Sequence, residues 1–167
     1  KKTDAYKHWQ ECACGYTTTK ENHVYGNAYP STKATLSGNG LLKKNCACGH
    51  SVNAGTISKI KTVSIAASVS YTGKTLNPKV TVKDAAGKTI ASTNYTVTYS
   101  KNKSVGKATA KVVFKGNYSG TKTLTFKIVP KTTKISSLKA GKKAFTVKYK
   151  KQTSGTGYEI QYSTSKS

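Results

Sequence analysis

Four cysteines, Cys12, Cys14, Cys46 and Cys48, fall into two copies of one phrase, Cys-Ala-Cys-Gly, at 12–15 and 46–49. A tetrahedral zinc ion takes four soft donors delivered as two bites from two turns. The glycine closing each phrase suits a turn of positive φ, which aims backbone amides at thiolate sulfur. The expected metal site is therefore Cys12, Cys14, Cys46 and Cys48, with a structural Zn2+ as cofactor. The spacing usual in zinc ribbons is one residue longer, Cys-x-x-Cys, and an even cysteine count also fits a pair of disulfides in an exported chain. Two disulfides are the alternative. A bridge inside Cys-x-Cys is strained, so pairs across the two phrases, such as Cys12 with Cys46, are expected of it. Either outcome is structural, because four thiolates leave zinc no open position for water.

The three histidines, His8, His23 and His50, share this stretch with the cysteines. They are read as surface residues or as groups behind the ligands, with replacement of one cysteine by histidine as the variant. Trp9 is read as packing over the site, with stacking on a sugar ring as its exposed alternative. Catalytic constellations are missing. The acidic residues are Asp4, Glu11, Glu21, Asp84 and Glu159, none of them in a pair suggesting a raised pKa. No nucleophile elbow and no phosphate-binding glycine loop occurs. The expectation is no catalytic residue and no enzyme. Asp84 sits in the phrase Asp-Ala-Ala-Gly and reads as turn chemistry. Burial of that carboxylate is not expected, which argues against a Lys-to-Asn isopeptide crosslink.

The elements that must position the cysteines come from a sparse composition. Hydrophobic residues make up 35% of 167, methionine is absent, and most aromatics are tyrosine, which suits thin sheets with polar outer faces over one large core. Charge is one-sided, with 29 basic residues against 5 acidic ones and a formal net charge of +24. All the basic residues are lysine. Without the planar, bidentate guanidinium, sequence-specific recognition of nucleic acid is disfavoured. A diffuse positive field still attracts acidic glycans or wall polymers in a salt-dependent way, or simply keeps the protein dissolved. No run of about 18 apolar residues is present, so no transmembrane segment is expected. The chain opens on Lys1 and reads as a mature or excised segment whose targeting and anchoring sequences lie elsewhere.

Residues 1–58 hold every Cys and His and the single Trp, and read as a small Cys-rich, zinc-ribbon-like module of short hairpins. One hairpin is expected around Thr35–Leu42, where turn residues are flanked by apolar ones. Residues 59–130 alternate regularly, as in Tyr95/Val97/Tyr99, Ala108/Ala110/Val112/Phe114 and Leu124/Phe126/Ile128. Such period-two sets separated by turn phrases predict an all-β fold, an antiparallel β-sandwich. The phrases Asn94-Tyr-Thr-Val-Thr-Tyr99 and Gly116-Asn-Tyr-Ser-Gly120 resemble the bacterial immunoglobulin-like repeat of Gram-positive surface proteins. Asn94 stands where many such repeats carry Asp. The first 58 residues are similar to small CxCG-type modules found beside those repeats, with their His-x-Trp phrase reduced to His8-Trp9. Residues 131–167, with Thr133–Leu138, Ala144–Tyr149 and Gly157–Tyr162, resemble the first half of a fibronectin type III domain, strands A to C in order.

These resemblances imply a non-catalytic stalk or spacer that presents other domains on a secreted or wall-attached bacterial protein. One alternative is an adhesin module binding acidic glycans or wall polymers through Lys and Tyr. Another is an assembly subunit in which 131–167 is completed by a partner's strand.

Overall fold

A computed structural model of the chain describes residues 1–11, 13–152, 154–155 and 157–163. Among them there is no α-helix, and the one helical turn is 3-10, Ser92–Asn94. The strands in chain order are β1 (Lys2–Thr3), β2 (Lys7–Trp9), β3 (Glu21–Asn22), β4 (Tyr29–Thr32), β5 (Gly40–Asn45), β6 (Ser51–Ile57), β7 (Ile60–Ser64) and β8 (Ser68–Ser70). They continue with β9 (Thr81–Asp84), β10 (Tyr95–Ser100), β11 (Gly106–Phe114), β12 (Thr121–Val129), β13 (Ile135–Gly141) and β14 (Ala144–Tyr149). Their sheets are β1-β2-β3, β4-β5-β6, β7-β9, β10-β11-β12-β8 and β13-β14. The protein is all-β and built of antiparallel sheets, as its alternation requires. Ser68–Ser70 departs from the antiparallel rule, since β8 runs parallel to β12 with Lys127 opposite Ser68.

The chain divides into two compact units. The first comprises Lys1–Ser64, Thr81–Val97 and Val112–Lys122. Its buried residues include Ala34, Cys46, Ile57, Ile60, Val82, Ile90, Val112 and Phe114. In β7 and β9 these come from register-matched strands, with Ile60 opposite Asp84 and Val63 opposite Val82. The β4–β5 hairpin closes on Thr35, whose Oγ1 accepts from the Gly38 amide at 2.9 Å. Gly40 opens β5 against backbone: a Cβ there would lie 2.4 Å from the Thr32 carbonyl oxygen and 2.5 Å from the Ala34 nitrogen. Asp84, read as a turn residue, does that work through Oδ1, which accepts from the Lys88 amide at 2.9 Å. It is also buried, at 8% exposure, against the expectation for a carboxylate in a polar turn. Asp84 ends β9 opposite buried Ile60 and two residues along from buried Val82, and the Lys88 N–H it accepts offsets part of the loss of water.

The second unit comprises Ile65–Val80, Thr98–Lys111 and Thr123–Ser167. Ala108, Ala110, Phe126 and Ile128 are its buried alternating residues, and Tyr99 packs edge-on against Phe126. Tyr99 also donates its hydroxyl to the Pro78 carbonyl at 2.6 Å, which gives a tyrosine on an inward face a satisfied polar end. The β13–β14 hairpin pairs Leu138 with Val147 and Ala140 with Phe145. Its apolar side remains open, with Ile135 64%, Leu138 66% and Phe145 47% exposed. The third strand expected at Gly157–Tyr162 is irregular backbone; Ile160 and Tyr162 instead line the apolar concavity of that hairpin beside Phe145.

Candidate metal centre

The β1-β2-β3 sheet is a set of very short strands ordered by a local turn. Asp4 Oδ1 accepts the Tyr6 amide at 2.9 Å and the Lys7 amide at 2.7 Å, folding β1 onto β2. Those two N–H groups, foremost that of Tyr6, hold the Asp4 carboxyl below its ordinary value. The register then sets His8, in the central strand, opposite Thr3 on one side and Glu21 on the other. His23 follows β3 directly, and its amide is tied to the Tyr6 carbonyl at 3.2 Å. The other donors come from the turn joining β5 to β6. There the Cys46 amide bonds the His50 carbonyl at 2.8 Å and the Gly49 amide bonds the Cys46 carbonyl at 2.9 Å. Gly49 closes this turn at φ +96°, the conformation the Cys-Ala-Cys-Gly phrase calls for. A single bridge between Tyr25 and Cys46 links the chain after β3 to this turn.

His8, His23, Cys46 and Cys48 each present one donor atom, and these atoms all lie within 4.8 Å of one another. They can hold a metal ion. His23 points Nδ1 at Cys48 Sγ, 3.2 Å away, while its Nε2 faces the Asp4 carbonyl at 3.0 Å and Thr3 Oγ1 at 3.3 Å. Donation from Nε2 to that carbonyl leaves the Nδ1 lone pair facing the sulfur side. In His8 the outer nitrogen, Nε2, stands 3.6 Å from the Glu21 carboxylate. The inner one, Nδ1, is buried and has no hydrogen-bond partner among the described residues. A buried polar nitrogen without a partner is costly, and a metal ion in the cluster gives it one. His23 thus follows the arrangement of metal-bound histidines, one nitrogen inward and the other held from outside by an oxygen, and in His8 a carboxylate oxygen faces the outer nitrogen at 3.6 Å.

The electrostatics run the same way. The Cys46 thiol is lowered to about 6, first by the Cys48 amide, then by the Cys48 side chain and His23, against the opposing effect of burial. The His23 imidazole is raised, first by its bond to the Asp4 carbonyl and then by the Cys46 sulfur. The Tyr25 phenol is raised by burial and by the neighbouring sulfurs. Tyr25 also bonds His50 Nδ1 at 2.9 Å, and the His50 ring stacks on His23 at 4.3 Å, so His50 walls the site from behind.

This donor set differs from the all-cysteine set expected from the doubled phrase. Cys46 and Cys48 are shared. Cys14 is disulfide-bonded and offers no thiolate, while Cys12 lies outside the described residues. Cys46 and Cys48 carry free thiols, so neither takes part in a bridge such as Cys12 with Cys46. The two histidines, expected as surface residues, outer support or a single substitute, both face the cluster; the confinement of all three histidines to the cysteine-bearing stretch is the signal for a mixed set. Trp9 is half-buried and carries the Lys20 ammonium over its ring at 4.2 Å, so one face is covered by a cation. Comparison with known proteins finds no matching family model, no matching curated protein and no matching solved structure. With two nitrogens and two sulfurs already in place, a tetrahedral ion here has no position left for a water or a substrate.

Proposed function

We propose that this chain is a non-catalytic spacer and presentation segment of a secreted or wall-attached bacterial protein, stapled near its start by a structural Zn2+. The observation that carries the reading is the His8, His23, Cys46 and Cys48 cluster. Two imidazoles and two thiols gathered in one cluster favour zinc, bound by four nitrogen and sulfur donors, over the hard cations, which take oxygen ligands. A closed site lends folding energy and no chemistry. The disulfide at Cys14 supports export, since such bonds persist in oxidising compartments. The all-β make-up with polar outer faces, and the resemblance of 59–130 to immunoglobulin-like repeats, support the spacer role.

Two measurements test it. Elemental analysis and intact mass on protein purified without chelator should give one zinc per chain and two titratable thiols after denaturation. No zinc overturns the staple, and four thiols overturn the Cys14 disulfide and with it the support for export. In the second, residues 1–167 are placed between a wall anchor and a reporter domain on a Gram-positive cell. Antibody access to the reporter should rise over an anchor-only control; equal access overturns the spacer.

A further inference from the structure

From Ala85 to Tyr158 the chain carries sixteen lysines and not one acidic residue. All sixteen are exposed, and the ion pairs among the described residues involve only Lys2, His8 and Lys20. Solubility alone is served by a surface of mixed sign; a long stretch of one sign pushes on itself and draws anions. The question is where such a field becomes a site.

In the second unit, the loop joining β10 to β11 forms an open concavity of about 450 Å³ lined by Lys101, Asn102, Lys103 and Lys107 among its residues. The loop is pinned. The Asn102 carbonyl accepts from the Leu76 amide at 2.8 Å, and Asn102 Nδ2 donates to the Leu76 carbonyl at 3.0 Å and to Asn77 Oδ1 at 2.7 Å. Lys101 holds a left-handed conformation, φ +55°, which is unfavourable for a residue with a long side chain and persists where the surroundings fix it. Beyond the loop, Lys107 and Lys111 share the outward face of β11, because Ala108 and Ala110 between and beside them are fully buried. Four residues of strand separate them by roughly 13 Å, beyond one Debye length at physiological salt, so each meets its own anion.

We propose that this loop and the outward face of β11 form a binding site for a linear polyanion bearing repeated sulfate or phosphate groups. One group sits in the concavity of Lys101, Lys103 and Lys107, and a further one along the polymer meets Lys111. Ammonium groups without guanidinium contact anions as point charges, so the site reads charge spacing and no sequence. It is independent of the metal cluster and adds a ligand to the spacer.

The test uses the full chain and two probes, heparin for sulfate and linear polyphosphate for phosphate. Two triple variants of equal charge are compared, K101Q/K103Q/K107Q and K142Q/K143Q/K151Q, with melting curves to show that both fold. The loop variant should lose at least tenfold in affinity, and its slope of log K against log salt should fall by about 2 to 3 for three lost contacts. The other variant should change less than threefold. Retention of one probe over the other by wild type identifies the anion. Equal losses in the two variants, or no salt-dependent binding of either probe by wild type, overturns the site.

Discussion

The sharpest prediction separates the mixed donor set from the all-cysteine set. Structural zinc in small modules binds with an apparent free energy of about 10–16 kcal/mol at neutral pH. Spread over the four donors seen here, that is about 2.5–4 kcal/mol per ligand, or about 10²- to 10³-fold in Kd for each one removed. His8→Ala and His23→Ala should each weaken zinc by about that factor, as should Cys46→Ser. The double variant Cys12→Ser/Cys14→Ser should hold zinc within about threefold of wild type, well under the cost of a lost ligand. The assay is competition with a chromophoric chelator at pH 7.5, reading affinity and stoichiometry directly, so a loss of stability elsewhere does not masquerade as a lost ligand. The geometry supports the ordering: Cys14 is spent in a disulfide, while His8 Nδ1 is buried and unpartnered. If the double cysteine variant loses zinc and His8→Ala keeps it, the cluster is wrong as a metal site.

Four further outcomes follow from the same geometry. Zinc should be released as pH falls: the metal needs thiolate at Cys46, lowered to about 6, and neutral imidazole at His23, raised above its usual range, so release begins with His23 and steepens below pH 6, as a zinc titration against pH reads out. In the metal-free protein the lowered Cys46 value stabilises the fold above the ordinary thiol range, near 9, and that contribution is lost as pH falls through about 6, which chelator-treated denaturation curves at pH 5 and 9 can compare. Glu21→Gln should weaken zinc by about 10- to 100-fold with unchanged stoichiometry, since the Glu21 carboxylate faces His8 Nε2 from outside the cluster. Gly40→Ala should cost more than about 2 kcal/mol in urea denaturation, because its Cβ would overlap the Thr32 and Ala34 backbone.

The strands of 95–129 were legible because their alternation is strict and both ends of the pattern are apolar. Ala108, Ala110 and Val112 are fully buried and Phe114 nearly so, as period two requires. Ser68–Ser70 was not legible, since Ser-Val-Ser carries no local signal and its pairing is a parallel contact with Lys127–Val129, far along the chain. In the site, Cys46 and Cys48 stood out through their turn phrase and its glycine. The doubled phrase then misled, because two copies of one local sequence do not share one environment: the first copy ends in a disulfide and the second faces two histidines. Which sulfur meets which imidazole is set by the register of β2 against β1 and β3, and strands of two or three residues leave no periodicity to read.

That shortness also explains why the ligands are divided as they are. Among the described residues before Ala34, none is buried, so the β1-β2-β3 sheet has no apolar core of its own. Three very short strands cannot offset the entropy of ordering them by backbone bonds alone. Yet this sheet and the residue after it contribute His8 and His23, while the turn between β5 and β6, which holds buried Cys46, contributes the sulfurs. If all four donors came from the cysteine turns, the ion would leave His8 Nδ1 unpartnered and the β1-β2-β3 sheet without attachment through it. A mixed set makes one ion the tie between a coreless sheet and a turn that already belongs to the first unit's interior. Metal affinity and the order of residues 1–23 are then the same free energy, expressed at two places.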